Sequence, residues 1–153
     1  MADKAVIRGV RRDDYARWRV LWEGYNAFYK RKGDTALPDC VTDSTWSRFF
    51  DRYEPMHAFV AEDAGQLLGL AHVLFHRSTI AIESSCYLQD LFTSEPARGR
   101  GIGAALIAEV YRYAEASGTK RVYWQTHETN TTAMKLYDKV AERSGFVVYR
   151  KLF

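Results

Sequence analysis

Apolar residues change their spacing along this chain, and each change predicts an element. Residues 5–10 form a short apolar run suited to an edge strand. Asp13 or Asp14 then caps a helix on which Trp18, Leu21, Trp22, Tyr25, Phe28 and Tyr29 fall at helical spacing, a stripe read mainly as core. Thr42 or Asp43 caps a second helix carrying Trp46, Phe49, Phe50 and Tyr53, stopped by Pro55. Residues 57–62 and 67–75 read as strands around the hairpin signal Asp63-Ala64-Gly65-Gln66, and residues 80–93 as a third. Pro96 ends that strand because proline cannot donate to a ladder. Ile102, Leu106, Val110 and Tyr113 mark one helix face, closed by Gly118 at a left-handed cap. A strand over 121–126, a helix from Asn130 to about Arg143 and a terminal strand over 146–153 complete the order. The pattern β-α-α-β-β-β-α-β-α-β predicts an α/β sandwich with a central mixed, mainly antiparallel sheet.

The junction at 93–103 carries the chemistry. A strand enters it, Arg98-Gly99-Arg100-Gly101-Ile102-Gly103 follows, and a helix leaves it. The first turn of a helix has unpartnered N–H groups and a partial positive charge. Glycines let a ligand reach those groups, and two arginines add full charge, so the junction predicts an anion site of the kind that suits a pyrophosphate. A phosphate loop of the Gly-Lys-Ser/Thr kind fails here, since Ala104 and Ala105 follow Gly103. Gly99-Arg100-Gly101-Ile102-Gly103-Ala104 does fit G-x-G-x-x-A, but the next strand ends without the ribose-binding carboxylate of a dinucleotide fold. That reading is the weaker one.

Arg98-x-x-Gly101-x-Gly103, preceded by a strand and Pro96, resembles the acyl-CoA pyrophosphate loop of the GNAT superfamily of N-acetyltransferases. Asn130-Thr-Thr-Ala133-Met-Lys-Leu136-Tyr137 resembles a second signature of that family, and Ser144-Gly145-Phe146 its turn into the final strands. The resemblance implies a GNAT-type fold and acetyl-CoA as cofactor, bound by Leu91, Phe92, Thr93, Arg98, Gly99, Arg100, Gly101, Ile102, Gly103, Ala104, Asn130, Ala133 and Tyr137. It implies that the cofactor wedges between two parallel strands, where a freed N–H stabilises developing oxyanion charge. Tyr137 lies where the family places the acid that protonates the departing thiolate. Tyr87-Leu88-Gln89-Asp90 resembles the Leu-Glu-Asp strand of diamine acetyltransferases, with Gln89 replacing the glutamate. Gln89 orienting a water and Asp90 are therefore the catalytic candidates on that strand, beside Tyr137. Glu23, Tyr29, Asp90 and Glu128, with Tyr25, are candidates for binding a cationic acceptor.

The likeness is nearest the polyamine and histone-type branch. It implies a small polyamine, diamine or amino-acid side-chain amine as acceptor, with a protein lysine second. A domain that holds acyl-CoA without turnover is the alternative of another class. Lys30-Arg31-Lys32 would repel a polyamine and counts against its lining such a pocket.

Composition narrows this little further. At 153 residues the chain is expected to be one N-acetyltransferase domain over 1–153. A net charge of +3 is too mild to point to nucleic acid, and the anion site absorbs part of it. Cys40 and Cys86 lack framework spacing and are expected to be free thiols, and no apolar run approaches a membrane span or leader, so the expectation is a cytoplasmic protein without a membrane partner. His72 and His76 share a strand face without a third ligand and are read as structural or pocket-lining rather than metal-binding. A homodimer is expected from relatives that pair their terminal strands.

Overall fold

The computed structural model describes residues 4–153. Five strands form one sheet in sequence order: β1 (Val6–Gly9), β2 (Met56–Asp63), β3 (Gln66–His76), β4 (Ser85–Thr93) and β5 (Val122–Tyr123). The first four pair antiparallel, and β4 pairs parallel with β5 through only Cys86↔Val122 and Tyr87↔Tyr123. Helices α1 (Tyr15–Phe28) and α2 (Asp39–Arg48) precede β2, α3 (Ile102–Ala116) joins β4 to β5, and α4 (Thr131–Val140) follows. The α/β sandwich with a mixed, mainly antiparallel sheet is the architecture that the pattern predicts.

Two apolar layers sandwich the sheet. On one face Trp18, Leu21, Trp22 and Tyr25 of α1 pack on Val60 and Leu70. On the other, Ile102, Leu106, Ile107 and Val110 of α3 pack on Phe59, Ala71, Val73, Cys86 and Leu88. Phe28 and Tyr29 end the aromatic stripe outside the core, at 55% and 39% exposure. Gly69 lets α3 lie close: a Cβ there would stand 2.8 Å from the Phe92 carbonyl oxygen and 2.9 Å from Ile102 Cγ2.

Several boundaries differ from the sequence reading. Helix α2 starts at Asp39 and ends at Arg48, so Thr42 is buried inside it and Phe49, Phe50 and Tyr53 lie beyond it. β4 begins at Ser85, leaving Ile80 and Ile82 exposed in the preceding loop. β5 pairs over two residues rather than six. The predicted terminal strand is corrected as well: residues 146–153 form no ladder, and Phe146, Val147, Val148, Tyr149, Leu152 and Phe153 are exposed. That run has β-propensity but no partner strand among the described residues, and propensity alone does not make a strand.

Asp14 precedes α1 but does not cap it with its side chain. It is fully buried, and its carboxylate accepts from Arg8 at 2.7 and 2.9 Å, from Arg17 at 2.5 Å and from the Arg11 backbone N–H at 2.7 Å. Arg8 also donates to Glu62 at 2.6 Å, and Arg17 to the Gly65 carbonyl at 2.7 Å, so this knot ties β1 and α1 to the β2–β3 hairpin. The Arg8 hydrogen bonds lead in holding the Asp14 carboxyl at about 2. A depressed carboxyl stabilises the fold above its unfolded value and loses that contribution as pH falls through its folded one. Wild-type melting temperature is therefore expected to drop between about pH 4 and pH 2. Asp14→Asn should cost about 3 kcal/mol at neutral pH by taking from the buried Arg8 one of its two carboxylate partners and leaving Glu62 as the other. It should also show a smaller acid loss when melting is followed by circular dichroism across that range.

Candidate active site

β4 lies fully paired with β3 on one edge and nearly free on the other. Beyond Tyr87 it has no ladder to β5, so the parallel strands part at the level of Leu88. β4 also bulges there: His72 faces Asp90 and Val73 faces Leu88, leaving Gln89 as the extra residue. A bulge re-aims the side chains around it. Leu88 joins the α3-side core, while Asp90 turns to the α1 side.

The gap opens toward the start of α3. Gly99 and Gly101 adopt left-handed φ values of 79° and 78°, and Gly101 is the N-cap of α3. The first backbone bond of the helix runs from the Ala105 N–H to the Gly101 carbonyl at 3.0 Å. No side chain caps the N-terminus and no acidic residue sits in its first turn, so the N–H groups of Ile102, Gly103 and Ala104 lack intrahelical partners. Arg98 is exposed beside them, its Nε donating to the Thr93 carbonyl at 3.4 Å. Arg100 is already engaged, 2.6 Å from Asp63, so it contributes less free charge than the sequence implied. Gly103 faces α4: a Cβ there would press on Leu136 Cδ2 at 3.3 Å and approach Thr93 Oγ1 at 3.9 Å.

From α4, Tyr137 lies half-buried with its ring edge-on to Trp124 at 5.5 Å. Burial first, and Tyr29 second, push its phenol up, so it keeps its proton well past neutrality. Asn130 occupies the N-cap position of α4 without capping it, and its Nδ2 donates to Thr126 Oγ1 at 3.2 Å. Ala133 is half-buried in the first turn of α4.

The opposite wall is acidic. Trp18 Nε1–H donates to His72 Nε2 at 2.9 Å, and His72 Nδ1 lies 2.9 Å from Asp90 Oδ2. An indole can only donate, so Nε2 is the acceptor and Nδ1 carries the proton toward Asp90. All three groups are buried, at 0%, 1% and 8% exposure. His72 is thus held as a neutral donor that orients Asp90 without cancelling its charge. Three phenols gather near it. Tyr25, Tyr29 and Tyr87 are all pushed up, by burial first and by the Asp90 charge next, and Tyr87 stacks on Tyr123 at 5.0 Å. Beside His72 the buried Trp22 Nε1–H has no hydrogen-bond partner among the described residues.

The structure therefore brings Tyr29, Asp90 and Tyr137 together with Leu91, Phe92 and Thr93 of the free β4 edge. Gln89 is exposed on the bulge. Glu23 does not join them. It sits on the exposed face of α1, paired with Arg19 at 3.0 Å, because its helix position is turned away from that of Tyr25. Glu128 is exposed in the turn before α4. His76 is exposed too and lies 2.7 Å from the Tyr123 hydroxyl. Sequence reasoning missed Trp18 and His72 as partners of Asp90. A polar His72 inside an otherwise apolar strand was the available signal.

Comparison with known proteins bears on this geometry directly. The model of the acetyltransferase (GNAT) family matches residues 18–141. A D-amino-acid N-acetyltransferase of Saccharomyces cerevisiae is 35% identical over 151 residues, 97% of this chain and 91% of the relative. A ribosomal-protein-alanine N-acetyltransferase from Brucella melitensis biovar Abortus shares the fold at TM-score 0.80 and 19% identity, over 97% of this chain and 99% of that one. An aminoglycoside N-acetyltransferase in complex with CoA does so at TM-score 0.81 and 19% identity, over 97% and 94%. With this match the dinucleotide reading of the glycine loop and the turnover-free reading both fall. The chain is a member of the GNAT family and an acetyl-CoA-dependent N-acetyltransferase.

Proposed function

We propose that the acceptor is a small primary amine, a polyamine, a diamine or an amino acid, bound with its nitrogen toward Asp90. The observation that carries this reading is the buried Asp90 carboxylate, held by a neutral His72 and ringed by phenols beside the free edge of β4. Aromatic faces and a carboxylate together suit an ammonium group. The D-amino-acid acetyltransferase at 35% identity supports an amino-acid amine among these classes.

The residues fit acetyl-CoA: unpartnered N–H groups at the start of α3, with Arg98 beside them, suit its pyrophosphate, and the β4 edge from Leu91 to Thr93 suits its extended arm. Bound there, it supplies an activated acetyl group whose C–S bond breaks as a C–N bond to the amine forms. The residues of the chain handle the protons. An alkylamine has an ordinary pKa near 10.4 and arrives as an ammonium, which has no lone pair. In this proposal Asp90 binds that ammonium, and its proton passes to Asp90 or to a water oriented by Gln89. Tyr137 holds at its phenol oxygen the proton that the departing sulfur takes. In the same proposal Asn130 and Ala133 contact the cofactor and Glu128 helps to bind the cationic acceptor.

The same reading takes residues 1–153 as one catalytic domain working in the cytoplasm, where exposed Cys40 and buried Cys86 stay free thiols. It also takes the protein as a homodimer, a state supported by the exposed apolar run 146–153. Among the described residues no helix is long and apolar enough to cross a membrane.

The primary test is thiol release from acetyl-CoA against spermidine, putrescine, free amino acids, aminoglycosides and a histone-tail peptide. Turnover with small amines is expected; turnover confined to the peptide overturns the small-acceptor reading. Tyr137→Phe should lower kcat by about a hundredfold or more while acetyl-CoA affinity, read by calorimetric titration, stays within about twofold. An unchanged kcat assigns the acid role elsewhere. Gly101→Val should weaken CoA binding at least about tenfold, since valine resists the left-handed conformation that shapes the loop. Equal affinity would remove the pyrophosphate from this helix. Asp90→Asn should reduce kcat/KM for the amine by about a hundredfold without changing CoA affinity. Wild-type amine kinetics in that variant would sink the acceptor site.

A further inference from the structure

We infer that Arg31 reads a carboxylate in the acceptor site, so that the favoured acceptor is a free amino acid whose ammonium meets Asp90 and whose carboxylate meets Arg31. This deepens the amine-acceptor reading above and rests on it.

The end of α1 is built to return Arg31 over the helix. Lys30 has a left-handed φ of 62°, its N–H donates to the Ala27 carbonyl at 3.0 Å, and the Arg31 N–H donates to the Asn26 carbonyl at 2.8 Å. These paired bonds are those of a Schellman closure, where glycine is the usual left-handed residue. The chain places Gly118 in that role at the end of α3, with φ of 81°. At the end of α1 it uses a lysine, whose Cβ disfavours the conformation. Strain of this kind gathers near functional sites.

The closure lays the Arg31 guanidinium 5.7 Å from the Tyr25 ring and 5.4 Å from the Tyr29 ring. Its Nε donates to Asn26 Oδ1 at 2.7 Å, and the buried Asn26 is itself fixed by donating Nδ2 to the Trp22 carbonyl at 2.8 Å. One nitrogen anchors the group, which leaves the two terminal nitrogens to bind. Arg8, Arg17 and Arg19 each have carboxylate partners; among the described residues Arg31 has none. A helix C-terminus favours a cation, but exposed Lys30 and Lys32 already supply that charge. The dipole does not explain an arginine fork fixed over two tyrosines.

Those two rings lie between opposite charges. Tyr25 and Tyr29 pack with centroids 5.0 Å apart, and Tyr25 meets Phe92 of β4 at 6.4 Å. The Asp90 carboxylate pushes both phenols up, and Arg31 acts on both in the opposite sense. An anion and a cation flanking one aromatic wall match a zwitterion. They do not match a polyamine, which would carry positive charge toward Arg31. A planar guanidinium also takes a carboxylate bidentately, which adds geometric selection to charge.

The test compares methionine with methioninamide, and lysine with cadaverine, as acceptors for wild type, Arg31→Gln and Arg31→Lys. Heats of methionine binding to the CoA-loaded protein give a readout independent of turnover. Wild type is expected to favour the acid over its amide by about tenfold to a hundredfold in kcat/KM, the range for one charged hydrogen-bonded contact. Arg31→Gln should bring that ratio near one by raising KM for the acid, and should weaken the methionine heat to match. Arg31→Lys should recover only part of the preference. Equal wild-type use of acid and amide, or equal loss of both in Arg31→Gln with an unchanged melting temperature, overturns the assignment. Failure of every amine, with acetyl-CoA still binding, would instead overturn the Asp90 acceptor site on which it rests.

Discussion

β4 is paired along one edge and released along the other after two residues, and the site is built from that asymmetry. A strand with both edges satisfied has nothing to offer a ligand, and a strand with neither edge paired has no fixed position. Here β3 holds β4 rigidly, while the short ladder to β5 ends at Tyr87 and leaves the stretch to Thr93 open. The bulge at Gln89 falls where release begins and turns Asp90 to one face and Leu88 to the other. Helix α3 starts at the far end of the open edge, with its N-terminal N–H groups uncapped. Helix α4 brings Tyr137 to the same gap. The uncapped helix start, the free edge and the half-buried Tyr137 thus gather beside one strand that loses its partner midway.

The buried chain from Trp18 through His72 to Asp90 belongs to the other layer. Burying a carboxylate is costly unless donors surround it, and each further donor narrows where it can point. The indole fixes the imidazole, and the imidazole fixes the carboxylate. Because the ring is already accepting at Nε2, protonating it would set two donors against each other. The structure keeps the negative charge and spends apolar packing space on doing so. Asp14 solves a similar problem with two guanidiniums and the Arg11 backbone N–H in place of an imidazole, and there the result is a neutralised joint between β1, α1 and the first hairpin.

Much of the fold was legible because it rests on local rules. The periodicity of Ile102, Leu106 and Val110 and the left-handed cap at Gly118 appear where the sequence places them, as does the tight turn after Asp63. The glycine loop was legible for the same reason, since its φ values belong to particular residues. Contacts made across the sheet were not. Trp18 and His72 lie 54 positions apart, and Asp90 a further 18. No periodicity encodes their meeting. Glu23 misled because a carboxylate near aromatic residues in sequence can lie on the opposite face of their helix. The terminal run misled because strand-like composition says nothing about whether an edge exists to receive it. Lys30 was read only as charge, since a left-handed lysine leaves no mark in the sequence.

Gly69 has a consequence for the scale of the whole site. The Phe92 carbonyl of β4 and the Ile102 and Leu106 side chains of α3 close on β3 at Gly69, which has no side chain to hold them off. A leucine or valine spacer could settle into another rotamer and let the helix drift. At Gly69 the β3 half of the contact is backbone, and only the Ile102 and Leu106 side chains can adjust. The separation between the uncapped helix start and the open edge of β4 is therefore held within a narrow range. In the proposed binding mode, a carrier with a shorter arm would anchor its phosphates at the helix start and leave its cargo short of Tyr137.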